Sequence, residues 1–360
     1  MLILGNLLLN PASLSDLDPS IWFATAIAGI LTVIVIRSSW NQRSLPELEH
    51  QPPSGTPPDC MVVIPARNEE RTIARAVRSL PHDTVIVVDD ASEDRTAAVA
   101  KKAGAGVITA PKLLRGMVGK SNACAEGARL LTSKWILFAD ADTWYEPGFL
   151  ESAVATAEFA KVDFLSIYLA PVYRSFGARV LGPYASALYF YGVNPRANVA
   201  NAFNGQCLLV RRESYEFVGG HGAVHSLNED LKLAALALRH RMKIGVARTS
   251  LLGHVRMSME SLPRDAYRFA LVESWAGVRV MLAALAFLLW APASIWLIVD
   301  GLRIPAIACA IWPILILSPW YGPLQAILAP FGILALAPML VASTARVLLG
   351  RRVQWKGRYI

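Results

Sequence analysis

Over its first two-thirds the chain alternates short apolar runs with amphipathic stretches, and then it turns almost wholly apolar. Met61-Val-Val-Ile64, Val85-Ile-Val-Val88, Val107–Thr109 and Trp135-Ile-Leu-Phe138 are apolar runs of strand length. Between them, Ile73, Ala76, Val77 and Leu80 give Glu69–Leu80 a helical spacing, and helices are predicted over about Asp94–Ala103 and Ser121–Leu131. Strands that are apolar throughout are buried on both faces. Their alternation with helices predicts an α/β fold with a parallel sheet covered on both sides, whose ligands bind beyond the carboxyl ends of the strands. A further helix is predicted over 229–241. Phe176, Val180, Tyr184 and Leu188 recur every four residues, with Leu181 and Tyr191 nearby, as one helical face. That face lies either at lipid headgroup level or against a core.

The late apolar region changes the picture. Val280–Val299 holds no charged residue over 20 positions, and Ile304–Ala345 holds none over 42. A helix needs roughly 20 apolar residues to cross a bilayer, so these runs predict membrane segments. A shorter apolar stretch, Ile21–Ile36, is preceded by Asp16 and Asp18 and followed by Arg37 and Arg43, with no small-residue cleavage site. It reads as a retained anchor rather than a signal peptide, and the basic residues after it place the following domain in the cytoplasm. The expected organisation is an N-terminal anchor over 1–43 (span about 20–36) and a linker over 44–59 with five prolines. A catalytic domain over 60–275 and a membrane region over 276–349 follow, the latter with two or three segments. A basic cytoplasmic tail over 350–360 ends the chain. Three full crossings would put that tail outside, so part of 304–325, with prolines at 305, 313, 319 and 323, is expected to be re-entrant or interfacial. The expected location is the inner cell membrane, multi-pass.

Charge and cysteine content narrow the options. A net charge of +8 suits a surface facing anionic headgroups, and no aromatics interleave with basic residues in the way nucleic-acid binding requires. Cys60, Cys124, Cys207 and Cys309 are scattered without a C-x-x-C pair, which argues against a disulfide framework or zinc site and fits reduced thiols.

Candidate chemistry sits at strand ends. Val88 runs into Asp89-Asp90, and Phe138 into Asp140-Ala141-Asp142. An acid just past a buried strand is costly without a cation or hydrogen-bond donor. Helix capping would account for Asp90 or Asp94 singly, but two doubled clusters at one sheet edge suggest one site.

The motifs then fall in a recognisable order. Ile64-Pro-Ala-Arg-Asn-Glu69, Val87-Val-Asp-Asp-Ala-Ser-Glu-Asp-Arg-Thr96, Gly119-Lys-Ser-Asn-Ala123 and Asp140-Ala-Asp142 are followed by Asn204-Gly-Gln-Cys207, Val218-Gly-Gly-His221 and Glu229-Asp230. Over about 60–275 this resembles the family 2 glycosyltransferases. The resemblance implies the GT-A fold, a nucleotide-sugar-binding parallel-type sheet with helices on both faces joined to an acceptor-binding half, here with transmembrane helices added. It implies that Pro65, Arg67 and Glu69 line the nucleotide pocket, that Asp90 bonds the base, and that Lys120 sits near the nucleotide. Asp140 would serve the nucleotide side and Asp142 would hold Mg²⁺ or Mn²⁺. Asp230 of the Glu229-Asp230 pair would be the catalytic base. Such a cation, bridging diphosphate oxygens, would stabilise the charge left when the sugar–phosphate bond breaks. It needs only one or two protein carboxylates. His254 in Gly253-His-Val-Arg-Met257 is a candidate third ligand, a diphosphate contact or a structural histidine, and Arg256 is a candidate for phosphate.

Two lookalikes are excluded. Gly119-Lys-Ser121 would need a glycine where Leu114 stands to complete a P-loop. Asp140-Ala-Asp-Thr-Trp144 carries Trp144 where aspartyl-phosphate phosphatases have Thr or Val. Val272-Glu-Ser-Trp275 stands where processive polysaccharide synthases carry Q-x-x-R-W, which argues against a processive enzyme. Glu273 and Trp275, Val255-Arg-Met257 and Trp355-Lys-Gly-Arg-Tyr359 resemble the carotenoid-type and hopanoid-associated branch. That branch implies an inverting hexosyltransferase that moves one sugar from a UDP- or GDP-linked donor to a terpenoid-like membrane lipid, with Glu273 and Trp275 on the acceptor side. A polyprenyl-phosphate sugar synthase is the alternative.

Overall fold

In a computed structural model of the chain, residues 19–52, 56–113, 118–192, 203–225 and 229–257 are described, with isolated stretches between 289 and 359. Two compact units are present: Met1–Trp40, Ser175–Gly192 and Met259–Arg351 form one, and Asn41–Arg174, Val193–Ser258 and Arg352–Ile360 the other.

The first described element is α1 (Pro19–Arg43). The strands and helices predicted for the catalytic region follow as β1 (Cys60–Ala66), α2 (Ile73–Arg78), β2 (Val85–Asp89), α3 (Thr96–Lys102), β3 (Gly106–Thr109), α4 (Gly119–Arg129) and β4 (Trp135–Ala139). Then come β5 (Thr143–Tyr145), α5 (Phe149–Phe159), β6 (Phe164–Tyr168), β7 (Ala170–Tyr173), α6 (Phe176–Gly192), β8 (Cys207–Arg211) and α7 (Arg212–Phe217). A 3₁₀ turn over Gly220–Ala223 leads to α8 (Glu229–Arg239), β9 (Ile244–Arg248) and β10 (Gly253–Met257), and a short hairpin of β11 (Gln354–Trp355) and β12 (Arg358–Tyr359) is described last.

The main sheet has the order β3-β2-β1-β4-β8-β6-β9. The first four strands are parallel, as the alternating pattern predicts. The expectation of a parallel sheet throughout is corrected by β8, which runs antiparallel to both β4 and β6. Leucine- and valine-rich β8 is buried on both faces whatever its direction, so its composition carries no sign of the reversal. Side-chain alternation divides the faces. Val62, Ile64, Val85 and Val87 share a core with Ile73, Ala76 and Val77 of α2 and Ala100 of α3. Val63 and Val88 point the other way, onto Gly127 of α4. A smaller sheet, β5-β10-β7, carries the segment just past Asp142.

The proline-rich stretch expected as a linker lies along the sheet edge. Leu45 and Leu48 are buried, Leu48 N–H donates to Arg248 O at 2.9 Å and Arg248 N–H to Pro46 O at 2.9 Å, and Glu47 pairs with the Arg248 guanidinium at 2.8 Å.

Within the other unit, Ser38 Oγ donates to Ile34 O and to Ala187 O of α6. Tyr184 of α6 is buried and donates its hydroxyl to Ala329 O. Gly332 lies so close to Tyr184 and Val180 that a Cβ there would meet both, so the Val180 and Tyr184 positions of the predicted helical face pack inward. Among the described residues no helix is long and apolar enough to cross a membrane. The expected span over 20–36 is part of α1, whose uncharged stretch Pro19–Ile36 rises only about 27 Å at 1.5 Å per residue, short of the roughly 30 Å hydrocarbon core. The segments expected over 276–349 lie for the most part outside the described residues.

Gly127 provides a test of the helix–sheet packing. An added Cβ would stand 2.5 Å from Val63 Cγ1 and 2.9 Å from Val88 Cγ2. Overpacking costs about 1–3 kcal/mol, against about 1 kcal/mol of helix propensity gained. Gly127→Ala should therefore lower the melting temperature modestly, and Gly127→Val much more, both read by thermal denaturation.

Candidate active site

Two loops open at the carboxyl ends of β1 and β2, and much of the motif chemistry goes into joining them. Asn68 and Ala91 both adopt left-handed backbone, φ +55° and +53°. Asn68 N–H donates to Ser92 Oγ, Glu93 N–H to Asn68 Oδ1, Glu70 N–H to Asp94 Oδ2, Glu69 N–H to Thr96 Oγ1 and Arg95 N–H to Glu70 Oε2. Arg67, expected in the nucleotide pocket, donates Nη1–H bonds to the backbone oxygens of Asp90 and Ala91 at 2.7 and 2.8 Å. It holds the Asp90 loop in place. Glu69 accepts from the Thr72 hydroxyl at 2.8 Å. Asp89 and Asp90 are buried.

Across β1, the chain leaving β4 turns tightly. Asp140 O accepts from Thr143 N–H at 3.2 Å and from Thr143 Oγ1 at 2.8 Å, which sets Asp140 and Asp142 at the strand end. Asp140 stands two strands from Asp89 and Asp90, about 10 Å at ordinary strand spacing. A third turn is built by buried Asn204, whose Oδ1 accepts from Gln206 N–H and whose own N–H donates to Ser166 Oγ. This turn presents Gly205 O.

Lys120, in the first turn of α4, joins these pieces. Its Nζ lies 2.7 Å from Asp140 Oδ1, 3.2 Å from Glu229 Oε1 and 2.9 Å from Gly205 O. Desolvation works against the ammonium, but the charges of Asp140 and Glu229 outweigh it and raise its pKa above the ordinary lysine value. A Cβ at Gly205 would be 3.1 Å from Asp230 Oδ2 and 3.4 Å from Lys120 Nζ, so Asp230 completes the cluster. Pro65, Lys120, Asp140, Gly205, Glu229 and Asp230 line one small cleft.

Asp142 lies at the edge of the small sheet, its carbonyl accepting from Arg256 N–H at 3.0 Å. Strand pairing puts Asp142, Trp144, His254 and Arg256 on one face. His254 stacks on Trp144 with ring centroids 5.3 Å apart, its Nε2 3.7 Å from Glu146 Oε1, and the Arg75 guanidinium covers Trp144 at 3.5 Å. Among the described residues no three His, Cys, Asp or Glu side chains converge as a metal cluster. Asp140 is committed to Lys120. Mg²⁺ and Mn²⁺ sites commonly use one or two protein carboxylates, so the carboxylate of Asp142 is of a kind that would suit such a cation. Glu273 and Trp275 lie outside the described residues.

The cleft also contains residues to which the sequence reading gave no role: Cys124, Gly205 and His221. His221 is buried, packs edge-on against Phe138 at 4.6 Å and lies 2.9 Å from the Tyr215 hydroxyl through Nδ1. The Gly219-Gly220 pair before it was the available signal. Both glycines have positive φ, and a Cβ on Gly220 would stand 2.4 Å from the Tyr215 ring. Burial pushes the His221 imidazole down to about 4, with Glu229 opposing and Lys120 adding to the shift. Burial likewise raises the Cys124 thiol.

Residues 61–219 match the family model Glycosyl transferase family 2. The 4,4'-diaponeurosporenoate glycosyltransferase of Staphylococcus haemolyticus is 37% identical over 109 residues, 29% of each chain. The enzyme of that name from Staphylococcus aureus is 40% identical over 90 residues, 23% of this chain and 24% of that one. The chain thus spans less than a third of the length of these relatives. Among solved structures, a mannosyltransferase from Pyrobaculum calidifontis, in complex with GDP-Man and Mn2+, superposes with a TM-score of 0.55 at 17% identity, over 92% of this chain and 99% of that one.

The buried imidazole gives a pH test. Unfolded, it takes its proton near the ordinary 6.5; folded, only near 4. Between these values the unfolded chain binds a proton that the native state does not, so stability is lost as pH falls from about 6.5 to about 4. At about 1.4 kcal/mol per pKa unit the loss is on the order of 3 kcal/mol. His221→Gln should flatten the fall in melting temperature across that window.

The motif order and these likenesses agree: residues 61–219 are similar to the glycosyl transferase family 2 domain, and the fold is like that of the solved mannosyltransferase.

Proposed function

We propose that this protein moves one sugar from a UDP- or GDP-linked donor to a terpenoid-like membrane lipid, inverting the anomeric centre. The observation that carries this reading is the Lys120 cluster, which sets Asp230 beside the cleft at the start of α8. There the helix N-terminus favours a charged carboxylate, suited to accept a proton. The acceptor hydroxyl oxygen attacks the anomeric carbon, its proton passes to Asp230, and the sugar–phosphate bond breaks with its electron pair leaving on the nucleoside diphosphate. Asp90, held by Arg67, receives the base. Asp142 would hold Mg²⁺ or Mn²⁺, which when bound neutralises charge on the leaving diphosphate, and Arg256 shares the face of Asp142 as a further phosphate partner. Lys120 holds Asp140 and Glu229 in place.

A lipid acceptor is supported by the relatives' name, 4,4'-diaponeurosporenoate glycosyltransferase. It is also supported by α1, where Trp22, Ile30, Val33, Ile36 and Trp40 are exposed and Arg37 and Arg43 follow. That face suits contact with an anionic bilayer surface, so we place the protein at the inner membrane with its catalytic unit in the cytoplasm.

Asp230→Asn should reduce transfer to a hydroxyl acceptor about 10²–10⁴-fold, measured by mass spectrometry of glycosylated lipid. Unchanged turnover would remove Asp230 as the base. A carboxylate acceptor is already ionised and would tolerate the substitution. Asp142→Asn should abolish the Mn²⁺-dependent part of the rise in melting temperature that UDP or GDP produces, and retention of that part would remove Asp142 as the metal ligand.

A further inference from the structure

The turn that carries Asp142 is held from behind. Asp140 and Thr143 close a four-residue turn with Ala141 and Asp142 at its central positions, Thr143 N–H donating to Asp140 O at 3.2 Å. That bond is at the long end of the normal range, and the shorter one to the same carbonyl comes from Thr143 Oγ1 at 2.8 Å. Thr143 Oγ1 also lies 3.0 Å from the Tyr145 hydroxyl. A carbonyl can only accept. The arrangement that uses both hydroxyl protons therefore sends that of Thr143 to Asp140 O and that of Tyr145 to Thr143 Oγ1. The Cys207 thiol, at the start of β8, also adjoins the phenol.

Strand geometry separates this support from the chemistry. Successive side chains of β5 point to opposite faces, so Thr143 and Tyr145 stand on one face and Asp142 and Trp144 on the other. Thr143 and Tyr145 are both buried, and the Tyr145 ring packs on Phe149 with centroids 4.3 Å apart. Opposite Tyr145, Gly253 leaves no room for a side chain: a Cβ there would stand 2.7 Å from Leu169 Cδ2 and 3.2 Å from Phe149 Cε2. The core thus fixes the phenol, and the phenol passes its position to Asp140 through one hydroxyl. Arg256 N–H, donating to Asp142 O at 3.0 Å, steadies the other end of the turn.

We propose that Thr143 and Tyr145 are positioning residues of the cation site: acting through the Asp140 carbonyl, they hold Asp142 in the arrangement that takes Mg²⁺ or Mn²⁺. The inference rests on the reading of Asp142 given above and extends it to two buried hydroxyls behind the turn. Their effect falls on metal affinity, because a carboxylate already held in place loses less freedom on binding. Binding of the nucleotide alone, which in that reading goes through the Asp90 loop, is left unchanged.

The test titrates Mn²⁺ into the full-length protein with UDP or GDP present, read by electron paramagnetic resonance of the free ion. Thr143→Val removes the shorter bond to Asp140 O and should weaken Mn²⁺ binding about three- to tenfold, the range for one neutral hydrogen bond. Tyr145→Phe leaves that bond but removes its support, and should weaken Mn²⁺ binding about twofold, the low end of that range. Thr143→Ser, which keeps the donor, should bind Mn²⁺ as the unaltered protein does. Stability separates positioning from a role in folding alone. Thr143→Val leaves a buried phenol without its acceptor and should lower the melting temperature, whereas Thr143→Val with Tyr145→Phe removes both hydroxyls and should recover it. Mn²⁺ affinity should stay low in that double variant. Recovery of Mn²⁺ affinity together with the melting temperature would overturn the proposal. So would unchanged Mn²⁺ affinity in Tyr145→Phe, or an equal weakening of nucleotide bound without metal. Failure of the unaltered protein to bind Mn²⁺ with either nucleotide would instead overturn the metal reading of Asp142, on which this one stands.

Discussion

A single ammonium group sets the geometry of this site. Lys120 Nζ joins three segments far apart in sequence: the turn after β4 through Asp140, the Asn204–Gln206 turn through Gly205 O, and the start of α8 through Glu229. Removing a charge from water costs several kcal/mol unless partners replace the lost hydration, and here three oxygens do so. Lysine suits the position because its three donors diverge, whereas the planar fork of arginine favours one partner on one side. With the ammonium absent, Asp140, Glu229 and Asp230 would be mutually repelling carboxylates around a small cleft. The position of Asp230 is thus a by-product of the Glu229 contact one residue earlier.

A second layer of order comes from residues that look like ligand contacts in the sequence and act on backbone in the structure. The guanidinium of Arg67 binds the carbonyls of Asp90 and Ala91, and Asn68, Glu70, Ser92, Asp94 and Thr96 join one loop to the other. Two loops that would each be mobile become one rigid rim. Asp90 inherits its position from that rim, which is how a family motif can extend over ten residues while few of its side chains face the cleft.

How far the fold was legible follows from where its information lies. Strands β1, β2 and β4 and the helices between them are written in local periodicity, and the acids at their ends follow from connectivity alone. The reversal of β8 is a matter of chain path: Cys207-Leu-Leu-Val210 reads the same in either direction. The Lys120 cluster required three turns to converge, and no window of sequence holds that. His221 was named only as part of a motif. Its significance depends on Tyr215 six residues earlier and on Gly220 lacking a Cβ that would strike the phenol ring. Of the expected membrane segments, the one that falls wholly within the described residues is in α1, whose uncharged stretch is a few ångströms short of the bilayer core.

The Pro46–Leu48 segment along β9 has a further bearing. A strand at the rim of a seven-stranded sheet exposes unpaired backbone groups that invite another chain to add on. Here the Pro46 carbonyl and the Leu48 amide occupy both hydrogen-bonding groups of Arg248, and the Glu47 carboxylate holds its side chain. Pro46 lacks the N–H that would extend the pairing toward the N-terminus. The stretch therefore closes the end of the edge strand at Arg248, where an added strand would otherwise begin to pair.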